Sequence, residues 1–203
     1  MLIQKQKLEG VHVVLEPMQI EHIQALQEAV LDGKAFNLWF ANVPRPEDMQ
    51  NYVEQAIKAM EQGNIAYAVI SKHTGKLVGT TRYYNVDHTN KRAMIGYTWY
   101  ADSAKRTSIN TEAKLLLLKN IFDESKAIAV EFRTHFFNHT SRAAIERLGA
   151  KQDGILRNHQ IMKDGSYRDT VVYSIIASEW PAVRNNLLSK LQQKDVSRNR
   201  PGS

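Results

Sequence analysis

The sequence predicts a single α/β domain: a mixed, mostly antiparallel twisted sheet with helices on both faces, in the element order β-α-α-β-β-β-α-β-α-β-β. Three observations lead to that reading. The runs 65–71, 76–85 and 92–100 have strand character and are separated only by turn signals at Thr74-Gly75 and His88–Lys91, which makes an antiparallel meander. The strand-helix-strand step from Arg92 to Thr134 demands a parallel pair joined by a right-handed crossover. The chain of 203 residues shows no linker, internal repeat or low-complexity stretch, so one core serves the whole length.

Each element has its own signal. Val11–Glu16 alternates as a strand, and Pro17 opens a helix with Ile20, Ile23, Leu26 and Val30 at helical spacing, ended by Asp32-Gly33. Asn37–Pro46 is irregular and aromatic. Pro46, Glu47 and Asp48 start a second helix whose apolar face is Tyr52, Val53, Ala56, Ile57 and Met60, closed by Gly63-Asn64. After the meander, Asp102–Ser108 is a Ser/Thr/Lys-rich loop, and a helix from Asn110 to about Glu124 carries the apolar run Leu115–Leu118. Ala127–Thr134 reads as a buried strand and Asn138–Leu148 as a helix stopped by Gly149. Gly154–Met162 and Tyr167–Ile176 form a hairpin around Lys163-Asp164-Gly165-Ser166. A last helix, Ser178–Leu191, has Pro181 in its first turn. The domain is therefore expected over 1–183, with 184–203 as the end of that helix and a basic, disordered tail.

Composition removes several function classes. Three Trp, eight Tyr and six Phe, with 43% hydrophobic and 24% charged residues, describe a chain that collapses into a globule. The absence of cysteine excludes disulfide frameworks, Cys-based zinc sites and thiol nucleophiles. No apolar run reaches membrane-spanning length and no signal-peptide pattern opens the chain, so a cytoplasmic protein is expected, with no membrane partner and no metal. Of the net charge of +6, residues 184–203 hold Arg184, Lys190, Lys194, Arg198 and Arg200 against Asp195. A basic tail on a near-neutral body is a solvated terminus rather than a nucleic-acid footprint. The strand-loop-helix unit between Tyr100 and Asn110 is a different matter, because backbone N–H groups at such a helix start bind anions.

Around that unit the motifs become specific. They run Ile95-Gly-Tyr-Thr-Trp-Tyr, Lys105-Arg-Thr-Ser-Ile-Asn-Thr-Glu-Ala-Lys, Val130-Glu-Phe-Arg-Thr-His, Asn138-His-Thr-Ser-Arg-Ala-Ala-Ile-Glu-Arg-Leu-Gly-Ala and Asp169-Thr-Val-Val-Tyr-Ser-Ile. In this order, across residues 9–181, the chain resembles the GNAT acetyltransferases, in the branch typified by the ribosomal-protein N-terminal acetyltransferases RimJ and RimL. The resemblance implies acetyl-CoA as cosubstrate, with its pyrophosphate on the loop Lys105, Arg106, Thr107, Ser108, Ile109, Asn110 and Thr111. The family's loop carries glycines, and neither is present here. Ser108 stands where one is usual, and a residue forced to positive φ there would be strained. The pantetheine arm is implied to lie between the fourth and fifth strands of the family sheet, against Thr98, Trp99 and Tyr100 on one side and Glu131–His135 on the other. Trp99 itself alternates as a core residue.

Acetyl transfer from a thioester to an amine needs a neutral amine, a donor for the oxyanion and a proton for the departing thiolate. Many relatives place a tyrosine in the helix after the fifth strand, where this chain has Ile145. In the RimL-like branch a serine near the start of that helix is implied instead, matching Ser141, with Asn138 on the pantetheine arm. The same two residues also suit helix capping. Met94 replaces the glutamate that often serves as base, so His135 becomes the candidate, directly or through water, beside the alternatives of a structural histidine or solvent alone. The acceptor side is expected to be lined by Trp39, Phe40, Tyr97, His135, Phe136 and His159, an aromatic wall suited to a small-molecule or peptide amine. The competing reading is an acyl-CoA-binding sensor or interaction protein without catalysis. A homodimer is expected from the apolar Trp180, Leu187, Leu188 and Leu191 of the last helix.

Overall fold

A computed structural model describes residues 3–198, with side chains placed through Val196. The strands are β1 (Leu8–Glu9), β2 (Val13–Pro17), β3 (Ile65–Ser71), β4 (Leu77–Asp87), β5 (Arg92–Tyr100), β6 (Ala129–His135), β7 (Lys151–Ile161) and β8 (Tyr167–Ile176). The helices are α1 (Ile23–Leu31), α2 (Met49–Glu61), α3 (Ile109–Lys119), α4 (His139–Leu148) and α5 (Trp180–Arg198). One eight-stranded sheet runs β1-β2-β3-β4-β5-β6-β8-β7. Every neighbouring pair is antiparallel except β5–β6, the parallel step that the sequence required.

The helices take opposite faces because the sheet alternates. On β4, Thr80 and Arg82 face α2: the Tyr52 hydroxyl lies 3.0 Å from the Thr80 hydroxyl, and the Arg82 guanidinium sits over the Tyr52 ring. Thr81 and Tyr83 point the other way, to α3, where Tyr83 donates to the Leu117 carbonyl at 2.5 Å. Glu112 on α3 is buried, and its carboxylate accepts the backbone N–H groups of Val11, His12 and Val13, tying the start of β2 to that helix. A buried carboxylate is tolerable only when so many donors satisfy it.

Several details differ from the sequence reading. A two-residue strand, β1, pairs with β2 and carries no alternation that could have shown it. Single 3₁₀ turns, Ile20–His22 and Pro46–Asp48, precede α1 and α2. The helix expected to reach Glu124 changes to a π turn over Asn120–Glu124. The last helix continues to Arg198 rather than ending at Leu191, so most of the expected disordered tail is helical, and the Arg-Pro-Gly-Ser end lies outside the described residues. Trp180, Val183, Leu187 and Leu191 are buried, α5 packing on α3 and α4. That removes the reason given for a dimer: the apolar face of this helix is covered within the chain, and of its expected four residues only Leu188 is exposed.

Candidate active site

The parallel seam between β5 and β6 is short. Arg92 pairs with Ala129, Ala93 with Val130 and Met94 with Glu131, and there the pairing stops, although both strands continue, to Tyr100 and to His135. Beyond Met94 the sheet is split, and Ile95–Tyr100 turns an unpaired edge toward the gap. A bulge shapes this lip. Thr80 pairs with Trp99 but Arg82 with Gly96, leaving one extra residue on β5; Tyr97 takes φ 50° and its carbonyl accepts the Thr80 hydroxyl at 2.9 Å. The Trp99 side chain lies in the core, so only its backbone is offered to the gap.

The start of α3 follows the β5 lip, at the open end of the split. Ser108 is buried, with φ −71° and ψ −17°, so it needs no glycine; the positive φ of this loop falls on exposed Arg106, at 61°. Thr107 organises the turn, donating to the Ala104 carbonyl at 2.6 Å while its hydroxyl oxygen accepts the Ile109 N–H at 3.3 Å. The next N–H groups of the helix, from Asn110 and Thr111, have no carbonyl behind them and present a positive helix end. Lys105 is held by Asp102 at 2.5 Å. A further anchor comes from α5, whose Lys194 donates to the Thr107 carbonyl at 2.5 Å. Thr111, Arg147, Lys190, Gln193 and Lys194 line a cavity of about 320 Å³ beside the loop. Burial and the nearby charge of Arg147 push the Lys194 ammonium below its usual range. Lys190 and Lys194 were expected to be solvated; only the heptad-like spacing of Leu187 and Leu191 hinted that the helix would bring them here.

Across the gap, at the end of β6, stands His135, 3% exposed. Its Nδ1 accepts the Phe137 N–H at 3.1 Å, so the neutral ring carries its proton on Nε2, a buried atom with no partner among the described residues. Burial, and then the charge of Arg168, lower its pKa and keep it neutral. Trp39, Phe40 and Phe137 surround it, with ring centroids 4.9, 6.0 and 5.8 Å away. Phe137 rather than Phe136 completes this wall. Phe136 packs on the core beneath the Arg142 guanidinium. His159 reaches the same end through Thr170, the residue opposite His135 on β8. Tyr97 belongs to a neighbouring group, edge-on to Tyr84 at 5.2 Å.

Asn138 and Ser141 follow directly. Asn138 Oδ1 accepts the Ser141 N–H at 3.0 Å and caps α4, while the Ser141 hydroxyl has no partner among the described residues. The cap thus uses the backbone of Ser141 and leaves its side chain uncommitted.

One buried cation went unnoticed in the sequence. Lys114 on α3 is 5% exposed and donates to the hydroxyls of Thr81 at 2.9 Å and Thr98 at 2.8 Å. Among the described residues no carboxylate balances it, and burial brings its pKa from 10.5 to about 7. Between those values the unfolded chain holds the extra proton, so stability rises with pH across that window, and the burial penalty is full below pH about 7. Lys114→Met is therefore expected to raise the melting temperature, most at pH 6 and least at pH 10. Thermal melts at both pH values check this, and a fall in melting temperature at pH 6 contradicts it.

A split sheet with a positive helix start beside its open end has relatives. Residues 12–151 match the family described as the acetyltransferase (GNAT) domain. The chain belongs to the GNAT acetyltransferase family. It is similar to YdaF of Bacillus subtilis, a protein that carries the name of a ribosomal N-acetyltransferase, with 26% identity over 176 residues, 83% of this chain and 93% of YdaF. A crystal structure of a GCN5-related N-acetyltransferase from Brucella melitensis superposes with a TM-score of 0.83 at 28% identity, covering 93% of this chain and 86% of that one. RimJ of Mycobacterium smegmatis, solved in complex with CoA-disulfide, shares the fold at 20% identity with a TM-score of 0.78, over 92% of this chain and 95% of its own. The GNAT member described here is an acetyl-CoA-dependent N-acetyltransferase. Among the described residues, no helix is long and apolar enough to cross a membrane.

Proposed function

We propose that this GNAT enzyme acetylates the α-amine of a peptide or protein N terminus by direct attack within a ternary complex. The observation that carries the reading is the split beyond Met94, which opens between the β5 edge that leads to α3 and the end of β6 at His135. YdaF, named for ribosomal acetylation, supports a polypeptide acceptor. The diphosphate of acetyl-CoA would rest on the N–H groups of residues 106–111, with Lys194 and Arg147 adding positive charge. Its pantetheine amides would pair with the free edge at Thr98–Tyr100, and Asn138 would hold the arm at the α4 end.

The neutral amine attacks the thioester carbonyl and forms a tetrahedral oxyanion. Collapse expels the thiolate, and the Ser141 hydroxyl supplies its proton. His135 differs from the base expected of it. With Nδ1 already accepting a backbone N–H, its Nε2–H is a donor in the neutral ring, suited to an acceptor carbonyl, and water takes the amine proton. The test is CoA titration by calorimetry together with acetyl-CoA-dependent thiol release on a panel of N-terminal peptides. Saturable CoA binding is expected, with a melting shift, since ligand at ~100 times its Kd adds ~2.7 kcal/mol. Lys194→Ala is expected to weaken CoA binding by about tenfold, the scale of one charge-assisted contact. No heat and no thermal shift at millimolar CoA overturns the proposal.

A further inference from the structure

We infer that the acceptor site holds a carboxylate beside the reacting amine, received by the guanidinium groups of Arg82 and Arg168. This rests on the N-acetyltransferase reading and names the class of its substrate.

Both arginines are withdrawn from water, Arg82 to 7% and Arg168 to 9% exposure, on the sheet face that also carries His135. Neither has a carboxylate within 4 Å among the described residues. Arg82 lies between two tyrosine rings, 4.3 Å from the Tyr52 centroid and 4.5 Å from that of Tyr97. Its polar contact is one long bond from Nη2 to the Tyr52 carbonyl at 3.5 Å, and its Nε is buried with no acceptor. Arg168 donates from Nε to the Thr170 hydroxyl at 3.0 Å, and Thr170 is the residue opposite His135.

The two cations share one face of the sheet, which also carries tyrosines. Tyr97, half exposed, covers Arg82 and meets Tyr84 edge-on, and Tyr84 pairs with Met94 where the split begins. The nearby carboxylates are already engaged. Glu131 is bound by Arg133 and reached by Arg92 at 3.8 Å, and Asp169 is bound by Arg157 at 2.5 Å and by the Asn158 N–H at 2.8 Å. The face is left with a surplus of buried positive charge.

Cation–π contact offsets part of the cost of burying Arg82, but it does not satisfy an N–H group. A desolvated guanidinium with an open donor is completed by a planar anion that accepts along its fork, and a carboxylate fits that geometry. The carboxylate has two possible sources: an acidic side chain early in a peptide, or the α-carboxylate of a free amino acid.

The experiment compares kcat/KM for the amidated tetrapeptides Ala-Asp-Ala-Ala and Ala-Asn-Ala-Ala, their counterparts with the acidic residue at positions one and three, and free glutamate against glutamate α-amide. The wild-type protein is expected to prefer one acidic member at least tenfold, and the arm that shows the preference identifies the source. In Arg82→Gln and Arg168→Gln that ratio is expected to fall below threefold, with Arg82→Lys intermediate because it keeps the charge and loses the fork. Melting curves and CoA titration check that the variants fold. If Arg82→Gln does not, the wild-type pairs and Arg168→Gln decide. Ratios within twofold for every pair overturn the inference. If nothing is acetylated, the transferase reading fails by itself, and the carboxylate site is read from binding of the same pairs to the CoA-loaded protein: tenfold tighter binding of an acidic member supports it, and equal binding overturns it.

Discussion

Ser141→Ala is expected to lower kcat by ~10²-fold or more, the usual loss when a general acid is removed. The structure sharpens this expectation, because the capping bond at α4 uses the Ser141 backbone N–H and the Asn138 side chain. Alanine keeps that N–H. The helix start should survive the substitution, and the melting temperature should stay within about 2 °C of the wild type, which for a domain of this size corresponds to less than ~1 kcal/mol. CoA affinity should also change little, since one neutral hydroxyl contact is worth only ~1 kcal/mol. A variant that turns over at the wild-type rate removes Ser141 from the chemistry. Asn138→Ala is the contrasting case, because it deletes the cap itself and should cost about 1 kcal/mol of stability.

Gly79→Ala is expected to be the most damaging alanine substitution among the described glycines. A Cβ at Gly79 would stand 2.1 Å from the Trp99 carbonyl oxygen and 3.0 Å from the Tyr100 Cα. These are backbone atoms of β5, so no side chain can swing away to relieve the clash. The strands must part where Gly79 pairs with Tyr100 and Thr80 with Trp99. Overpacking with loss of two or three ladder bonds puts the cost at roughly 3 kcal/mol or more. That corresponds to a fall of about 6–12 °C in melting temperature. Because Thr98–Tyr100 form the lip of the split, CoA affinity should fall as well, measured on folded protein below the new transition. A variant that melts within about 2 °C of the wild type contradicts this account of the β4–β5 seam.

Most of the fold was legible because its signals are local. Periodicity and turn residues located the meander: β3 and β5 lie at the expected residues, and β4 starts one residue later and ends two residues later than read. The helix start was read at Asn110 and lies at Ile109, and the family motifs singled out the Asn138–Ser141 pair. What the sequence concealed depends on distant residues meeting. Lys114 looks like a surface residue on an apolar helix until Thr81 and Thr98 are placed beneath it. Arg82 sits in an ordinary strand, and only the approach of Tyr52 from α2 and Tyr97 from the bulge makes it a buried cation. The expectation of strain at Ser108 went astray because the positive φ moved two residues earlier, to Arg106, a shift set by the turn geometry around Thr107. Phe136 and Phe137 could not be told apart by type. Only the turn after β6 decides which ring faces Trp39.

An open sheet ordinarily has two borders, and this one has four. The outer two are blunted against unwanted partners: β1 is two residues long, and β7 carries Lys151 and Arg157 and is broken by a register shift around Asn158, whose φ is 48°. The inner border on β5 has no such guard. From Ile95 to Tyr100 it holds no charged residue and no proline, a stretch that on the outside of a protein would invite another strand to join it. Enclosure replaces chemistry as its protection, because β6, backed by β8, stands across the gap. The feature that would make another protein aggregate is here left sticky and hidden, and on the proposed function a slender molecule with amides of its own would take the place of the missing strand.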